Sequence, residues 1–402
     1  MIDILITNAL IATARGEKAL GGAKQGDIAI TRGCIGIANG KICHISEQIL
    51  EARRVLDAGG RLVTPGLVDP HTHLVFGGSR QNEVPQKLAG ASYMEILAAG
   101  GGILSTVRAT RAATHADLYV QAAGYLDKMA VHGTTACEIK SGYGLDFASE
   151  LKQLEVIRDL QKNAKPEIVA TFMGAHAIPP EFAGNAEGFV DALVEMIPKI
   201  ANTDLAKYCD IFTETGIFDI EQSRRIMMAA RDAGFCLKIH ADEITPLGGA
   251  ELAAEMGAVS AEHLIEATDA GISAMARAGT IAVLLPATSF YLDKPFARAR
   301  DMIARGVPVA LATDFNPGSS PNFNMQFVLN LAYLKMRLNP AQALTAATLN
   351  AAAAIGLAEN KGSIEIGKDA DLVIWDCPDL DYLFYRYGDN QVFKTIILGE
   401  II

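Results

Sequence analysis

Long apolar runs are missing from this chain of 402 residues: no uninterrupted stretch reaches the ~20 residues that a membrane-spanning helix needs. A basic excess is missing too. The formal net charge is −11, which argues against a nucleic-acid or anionic-membrane surface, since both attract basic proteins. A small anionic substrate stays compatible with it, because a pocket can be locally positive. The six cysteines (Cys34, Cys43, Cys137, Cys209, Cys236 and Cys377) include no CxxC pair. Most sit in apolar surroundings, such as Ile42-Cys43 and Phe235-Cys236-Leu237, and read as buried, reduced thiols of a cytosolic protein. The opening MIDILITNALIATA has no basic n-region and contains Asp3, Thr7 and Asn8, so it predicts a first strand rather than a signal peptide. Neither an internal repeat nor a low-complexity tract is present. A soluble, cytoplasmic protein is expected.

What is there is ordinary globular composition, half hydrophobic and a fifth charged, long enough for one large domain and a smaller one. Residues 1–62 alternate apolar and polar positions through Asp27–Ile30, Cys34–Ile37 and Lys41–Ile45, with Asn39-Gly40 as a hairpin turn. From there to Gly356 short apolar runs alternate with helical stretches. The strand candidates are Leu62–Leu74, Gly133–Lys140, Ile168–His176, Tyr208–Phe212, Cys236–His240, Ala258–His263, Ile281–Pro286 and Val307–Asp314. Asp117–Val131, Ser149–Lys162, Ile220–Ala233 and Pro246–Met256 have helix composition. Eight strands separated by helices predict an α/β fold, a (β/α)₈ TIM-like barrel. Strands return at Gly362–Glu365, Ala370–Trp375 and Gln391–Leu398. Residues 1–62 and 357–402 are therefore expected to form one composite β-sandwich domain, with a barrel of residues 63–356 inserted.

The sharpest chemical signal is Asp69-Pro70-His71-Thr72-His73. On a strand, residues i and i+2 face the same side, so His71 and His73 both point into the barrel mouth. Of the eight histidines, three more fall at predicted strand ends: His176, His240 and His263. Asp314 ends the eighth. Barrel enzymes keep their active sites at those ends. Several imidazoles with one carboxylate suit zinc or ferrous iron rather than a calcium or magnesium cage. His44, His115 and His132 fall in the β-domain or on helices and read as surface residues.

His-x-His after strand one, His after strands five and six and Asp after strand eight resemble the amidohydrolase superfamily, as do Pro65–Asp69 and the tail Gly362–Val373. Within it, Phe76–Arg80, Gly100–Ile103, Glu138–Gly144, His240–Glu243 and Thr313–Ser319 resemble the imidazolonepropionase family. The likeness runs over nearly the whole chain. One stretch departs: Val84 and Lys87 stand where that family has an aromatic residue and an arginine.

The resemblance implies one divalent metal, Zn²⁺ or Fe²⁺, held by His71, His73, His240 and Asp314. Strand four reads Tyr208–Glu214 without a lysine that could bridge two metals, so a mononuclear site follows; Lys140 and Lys238 are expected in structural ion pairs. The implied reaction is hydrolytic ring opening of 4-imidazolone-5-propanoate, a small-molecule substrate, to N-formimidoyl-L-glutamate. Asp314 and Glu243 are both candidates for the first general base. His263 can donate to the oxyanion, and Glu243 can protonate a ring nitrogen. Arg80 is expected to pair the substrate carboxylate, with Tyr143, His176, Asn316, Gly318 and Ser319 around the ring. A homodimer is implied as well. Two rivals remain: a nucleobase-type deaminase on the same barrel, which would not need Arg80, and a metal-free scaffold relative, which would be expected to have lost ligands.

Overall fold

The computed structural model describes residues 1–90, 95 and 100–402, and of Lys87 only the backbone. Eight parallel strands follow one another in sheet order: β1 Leu67–Asp69, β2 Thr134–Lys140, β3 Glu167–Ala175, β4 Tyr208–Thr213, β5 Cys236–Ala241, β6 Ser260–His263, β7 Ile281–Leu284 and β8 Val309–Leu311. The helices between them carry apolar residues inward, and several start on side-chain caps. Thr114 and Asp117 form a reciprocal capping box at the helix His115–Val131, and Asp219 with Gln222 does the same for Ile220–Asp232; each such cap is worth about 1 kcal/mol. Buried Val68, Ala136, Val283 and Ala310 inside the barrel pack in one cluster with Leu349, Ala351 and Ala352. Among the described residues no helix is long and apolar enough to cross a membrane.

The two ends of the chain build a second, mixed sheet. Its strands are Ile2–Thr13, Ala29–Ala38, Lys41–Ser46, Ala52–Asp57, Leu62–Pro65, Leu372–Trp375, Val392–Ile397 and Glu400–Ile401. The expected strands at 27–30 and 34–37 are therefore one. Gly33 does not turn the chain there but lets it pass close to the Ser46 carbonyl.

Three expectations are corrected. Leu62–Leu74 is not a single strand: Leu62–Pro65 pairs with Leu372–Ile374 in the terminal sheet, and the barrel begins only at Leu67. Gly66 makes the transfer, because a Cβ there would overlap the Thr135 side chain. Gly362–Glu365 is a loop, since Gly362 takes φ +83° and the Ile364 N–H donates to Thr13 Oγ1 at 2.8 Å instead of to a strand. Cys43 and Cys236 are exposed while the other four thiols are buried, and all six are free. Strand alternation turns Ile42 and Leu237 inward and so turns these cysteines out.

The seam between β1 and β8 has no direct ladder. It is closed further along, where Thr72 bridges Phe315 in parallel. The Asp314 N–H donates to the His71 carbonyl at 3.1 Å and the His73 N–H to the Phe315 carbonyl at 2.9 Å. Buried Asp69 fills the gap below, accepting from Thr313 N–H at 3.0 Å and Thr313 Oγ1 at 2.5 Å. From the other side Gln25 pairs both backbone groups of Val309, as a strand would. The segments that close the barrel are those that carry His71, His73 and Asp314.

Candidate active site

Extended backbone through His71-Thr72-His73 puts both imidazoles in the mouth, with their Nε2 atoms 3.3 Å apart. Asp314 Oδ1 lies 3.5 Å from His71 Nε2 and 3.6 Å from His73 Nε2. His240, near the end of β5, brings its ring centroid within 4.6 Å of that of His71. One ligand atom each from His71, His73 and His240 falls within 4.8 Å of the others, and so does one each from His71, His263 and Asp314. Asp314 and His263 reach inward because their backbones are left-handed, at φ +53° and +68°. Such strain in a non-glycine residue costs on the order of 1–3 kcal/mol and persists where the surroundings enforce it.

The protonation pattern prepares these groups for a cation. His71 Nδ1 donates to Glu262 at 2.8 Å, which leaves its Nε2 lone pair for the centre. His240 Nδ1 donates to Asp210 at 3.1 Å, and burial of that ring is outweighed by the Asp210 charge, which raises the His240 imidazole, so a cation there would take the place of its Nε2 proton. His240 Nε2 is buried with no hydrogen-bond partner. Burial, then the charges of Lys140 and His240, holds His71 well below the usual imidazole range; burial, then His176 and His240, does so for His73. With its own proton on Nδ1, His71 accepts at Nε2 from His73 Nε2–H, and His73 Nδ1 is left buried without a partner; a cation between the rings would take both Nε2 lone pairs. Nitrogen lone pairs with one carboxylate fit a divalent transition metal.

Around this centre the expected partners assemble. Glu243 follows the left-handed Asp242, and its Oε2 lies 3.6 Å from His263 Nε2. Burial and then the Asp314 charge raise the Glu243 carboxyl to about 8. Burial raises Asp314 to about 6 against the hydrogen bond from Thr288 Oγ1 at 2.5 Å. His176 stacks on His73 at 4.7 Å and donates Nδ1–H to the Gly142 carbonyl at 3.0 Å; burial and His240 push it down to about 3. Tyr143 is buried and feels both the Asp314 and the Arg80 charges, with burial the stronger influence, so its hydroxyl stays protonated.

Arg80 stands apart from the histidines and is clamped by buried Glu83, Nε to Oε1 at 3.0 Å and Nη2 to Oε2 at 2.9 Å. Gly318 lies against the guanidinium so closely that a Cβ would overlap it. Asn316 is used on its own loop: its amide donates to the Asp314 carbonyl at 2.6 Å and to Ser319 Oγ at 2.9 Å, and its Oδ1 accepts the N–H groups of Gly318 and Ser319, each at 2.8 Å.

Sequence reading missed the carboxylates that hold this machinery. Asp210 orients the His240 imidazole and Glu262 that of His71, and Glu83 orients Arg80. Glu150 gathers the N–H groups of Gly142, Gly144 and Leu145 at 2.8–3.0 Å beneath Tyr143. Glu214 accepts from Ile244 N–H at 2.9 Å and Thr245 N–H at 3.2 Å, pinning the loop of Glu243. The readable signal was alternation. Glu262 and Asp210 sit at inward positions of barrel strands, where apolar residues are the rule.

The amidohydrolase family profile matches residues 62–402. An imidazolonepropionase of Bacillus velezensis is 50% identical, covering 100% of this chain and 97% of its own. One from Brevibacillus brevis is 52% identical over 95% of this chain and 92% of its own. Among solved structures, an adenosine deaminase of Xanthomonas campestris with bound zinc superposes at a TM-score of 0.67, with 20% identity, over 100% of this chain and 92% of that one.

Proposed function

The chain belongs to the imidazolonepropionase branch of the amidohydrolase family, and on that premise we propose how its barrel mouth opens the ring of 4-imidazolone-5-propanoate. The reaction is hydrolysis of a cyclic amide C–N bond, a step of histidine degradation that yields N-formimidoyl-L-glutamate. The observation that carries the assignment of roles is the convergence of His71, His73, His240 and Asp314, with Glu243 beside them, the two carboxyls being set apart, Asp314 near 6 and Glu243 near 8.

We assign His71, His73 and His240, through Nε2, and Asp314, through Oδ1, as ligands of one divalent metal. Zinc or ferrous iron held there supplies Lewis acidity, which makes a water reactive near neutral pH. Asp314, ionised above about 6, takes the proton of the attacking water. Glu243, protonated up to about 8, delivers its proton to the departing ring nitrogen as the C–N bond breaks. His263 donates a ring N–H to the oxyanion growing on the carbonyl. The Tyr143 hydroxyl donates to the ring's polar edge. With its Nδ1–H held by Gly142, His176 offers Nε2 as an acceptor for a ring N–H. Arg80 pairs the propanoate, and Asn316 holds the Gly318-Ser319 loop against it.

Residues 1–62 and 357–402 are proposed as one domain carrying the inserted barrel 63–356; support comes from the shared sheet of terminal strands. A homodimer is proposed with it, testable by light scattering.

A deaminase barrel is among the fold neighbours, at 20% identity, which speaks for fold alone. The deciding assay adds purified protein to 4-imidazolone-5-propanoate and follows ring absorbance, metal content and ammonia. Loss of absorbance without ammonia supports ring opening. Ammonia release from a nucleobase, with the imidazolone untouched, would replace this reading.

A further inference from the structure

Beneath the ligand atoms the barrel interior carries a layer of charge where branched apolar residues usually fill such barrels. Glu138 and Lys140 point inward from β2, Asp210 from β4, Lys238 and His240 from β5, Ser260 and Glu262 from β6, the paired positions being two apart. All five charged side chains are fully buried. They link without interruption. Asp210, on His240 Nδ1, meets Lys140 Nζ at 2.7 Å, and Lys140 meets Glu138 Oε2 at 2.7 Å. The other Glu138 oxygen lies 3.4 Å from Lys238 Nζ, which lies 3.3 Å from Glu262 Oε1. Glu262 Oε2 then receives His71 Nδ1 at 2.8 Å.

We propose that Glu138, Lys140 and Lys238 are positioning residues for the metal: with Asp210 and Glu262 they form one ion-pair chain that ties His240 to His71. The proposal rests on the metal-site assignment above. Glu138 is the shared link, held by a lysine on each oxygen and by the Thr171 hydroxyl. A buried ion loses water that only its partners replace, so removing one member leaves its neighbours uncompensated and moves them. The two ligand rings are thus oriented jointly, by a scaffold that touches no metal.

The test measures metal affinity of the full-length protein by competition with a chromophoric chelator, together with the visible spectrum of the cobalt-substituted form. Glu138→Gln should weaken metal binding about 10–100-fold and shift the cobalt bands, although Glu138 is not a ligand. Asp210→Asn and Glu262→Gln should combine non-additively in the wild-type background and additively once Glu138 is Gln. Equal affinity and unchanged bands in Glu138→Gln, or additive effects in both backgrounds, would overturn the proposal. If Glu138→Gln does not fold, Lys238→Met cuts the same chain at one link and is judged by the same readouts. Wild-type protein that binds no metal would instead sink the metal-site assignment, so the two failures are distinguishable.

Discussion

His71 and His73 hold their Nε2 atoms 3.3 Å apart with Asp314 Oδ1 3.5–3.6 Å from each. Residues two apart on extended backbone normally place parallel side chains side by side. Here the seam bonds of Thr72, Asp314 and Phe315 turn both rings onto one point.

Chelation should therefore abolish activity, and restoring zinc or ferrous iron should recover it. His71→Ala is expected to lose bound metal below one-tenth per chain and activity by at least about 10³-fold, since ligand and nucleophile activation vanish together. Metal analysis beside an activity assay checks this; full metal and full activity in His71→Ala would refute the ligand set.

Arg80→Met should raise KM about 10–150-fold, the equivalent of a charge-assisted pair worth roughly 1.5–3 kcal/mol, with metal content unchanged. Gly318→Ala should act in the same direction, because the added methyl displaces the guanidinium. Steady-state kinetics on both variants decide it. A lower kcat with KM unmoved would assign Arg80 another role.

Glu243→Gln should keep its metal and lower kcat about 10²–10⁴-fold, the usual range for a lost general acid. In the wild type, kcat should fall as pH rises through about 8, where Glu243 loses its proton. The same alkaline limb persisting in Glu243→Gln would move the acid elsewhere.

Stability of the metal-stripped protein should depend on pH in a set direction. Burial raises Asp69 to about 7, Asp314 to about 6 and Glu243 to about 8. Each therefore binds its proton more tightly folded than unfolded, and the associated stability is lost as pH rises through about 6 to 8. His71, His73, His176 and His263 are lowered, so their contribution is present above the unfolded value near 6.5 and is lost as pH falls below it. Tm of stripped protein should thus peak near pH 6–6.5. The metal-induced rise in Tm should widen toward pH 8, where Asp314 is ionised without help. Thermal melts with and without metal test both.

Much of the site was legible because its residues sit at strand ends, and strand ends are local. Period-two alternation and apolar runs located all eight barrel strands to within a few residues, except at Leu62–Leu74. There one apolar run serves two sheets, and only the contact of Gly66 with Thr135 shows where the chain changes from one to the other. Asn316 was readable as a polar group after Asp314; its use as a loop brace was not, because that depends on which partners the turn brings back to it.

By itself the sequence determined the periodicities, the histidine and aspartate positions, and hence the kind of barrel and the chemistry at its rim. Tertiary structure alone decided which carboxylate meets which imidazole. Asp210 is 30 residues from His240 and Glu262 is 191 from His71, and nothing local links such pairs. They form because burial strips water from every charge in the barrel, and the only compensation left is whichever opposite group the closed sheet places across from it.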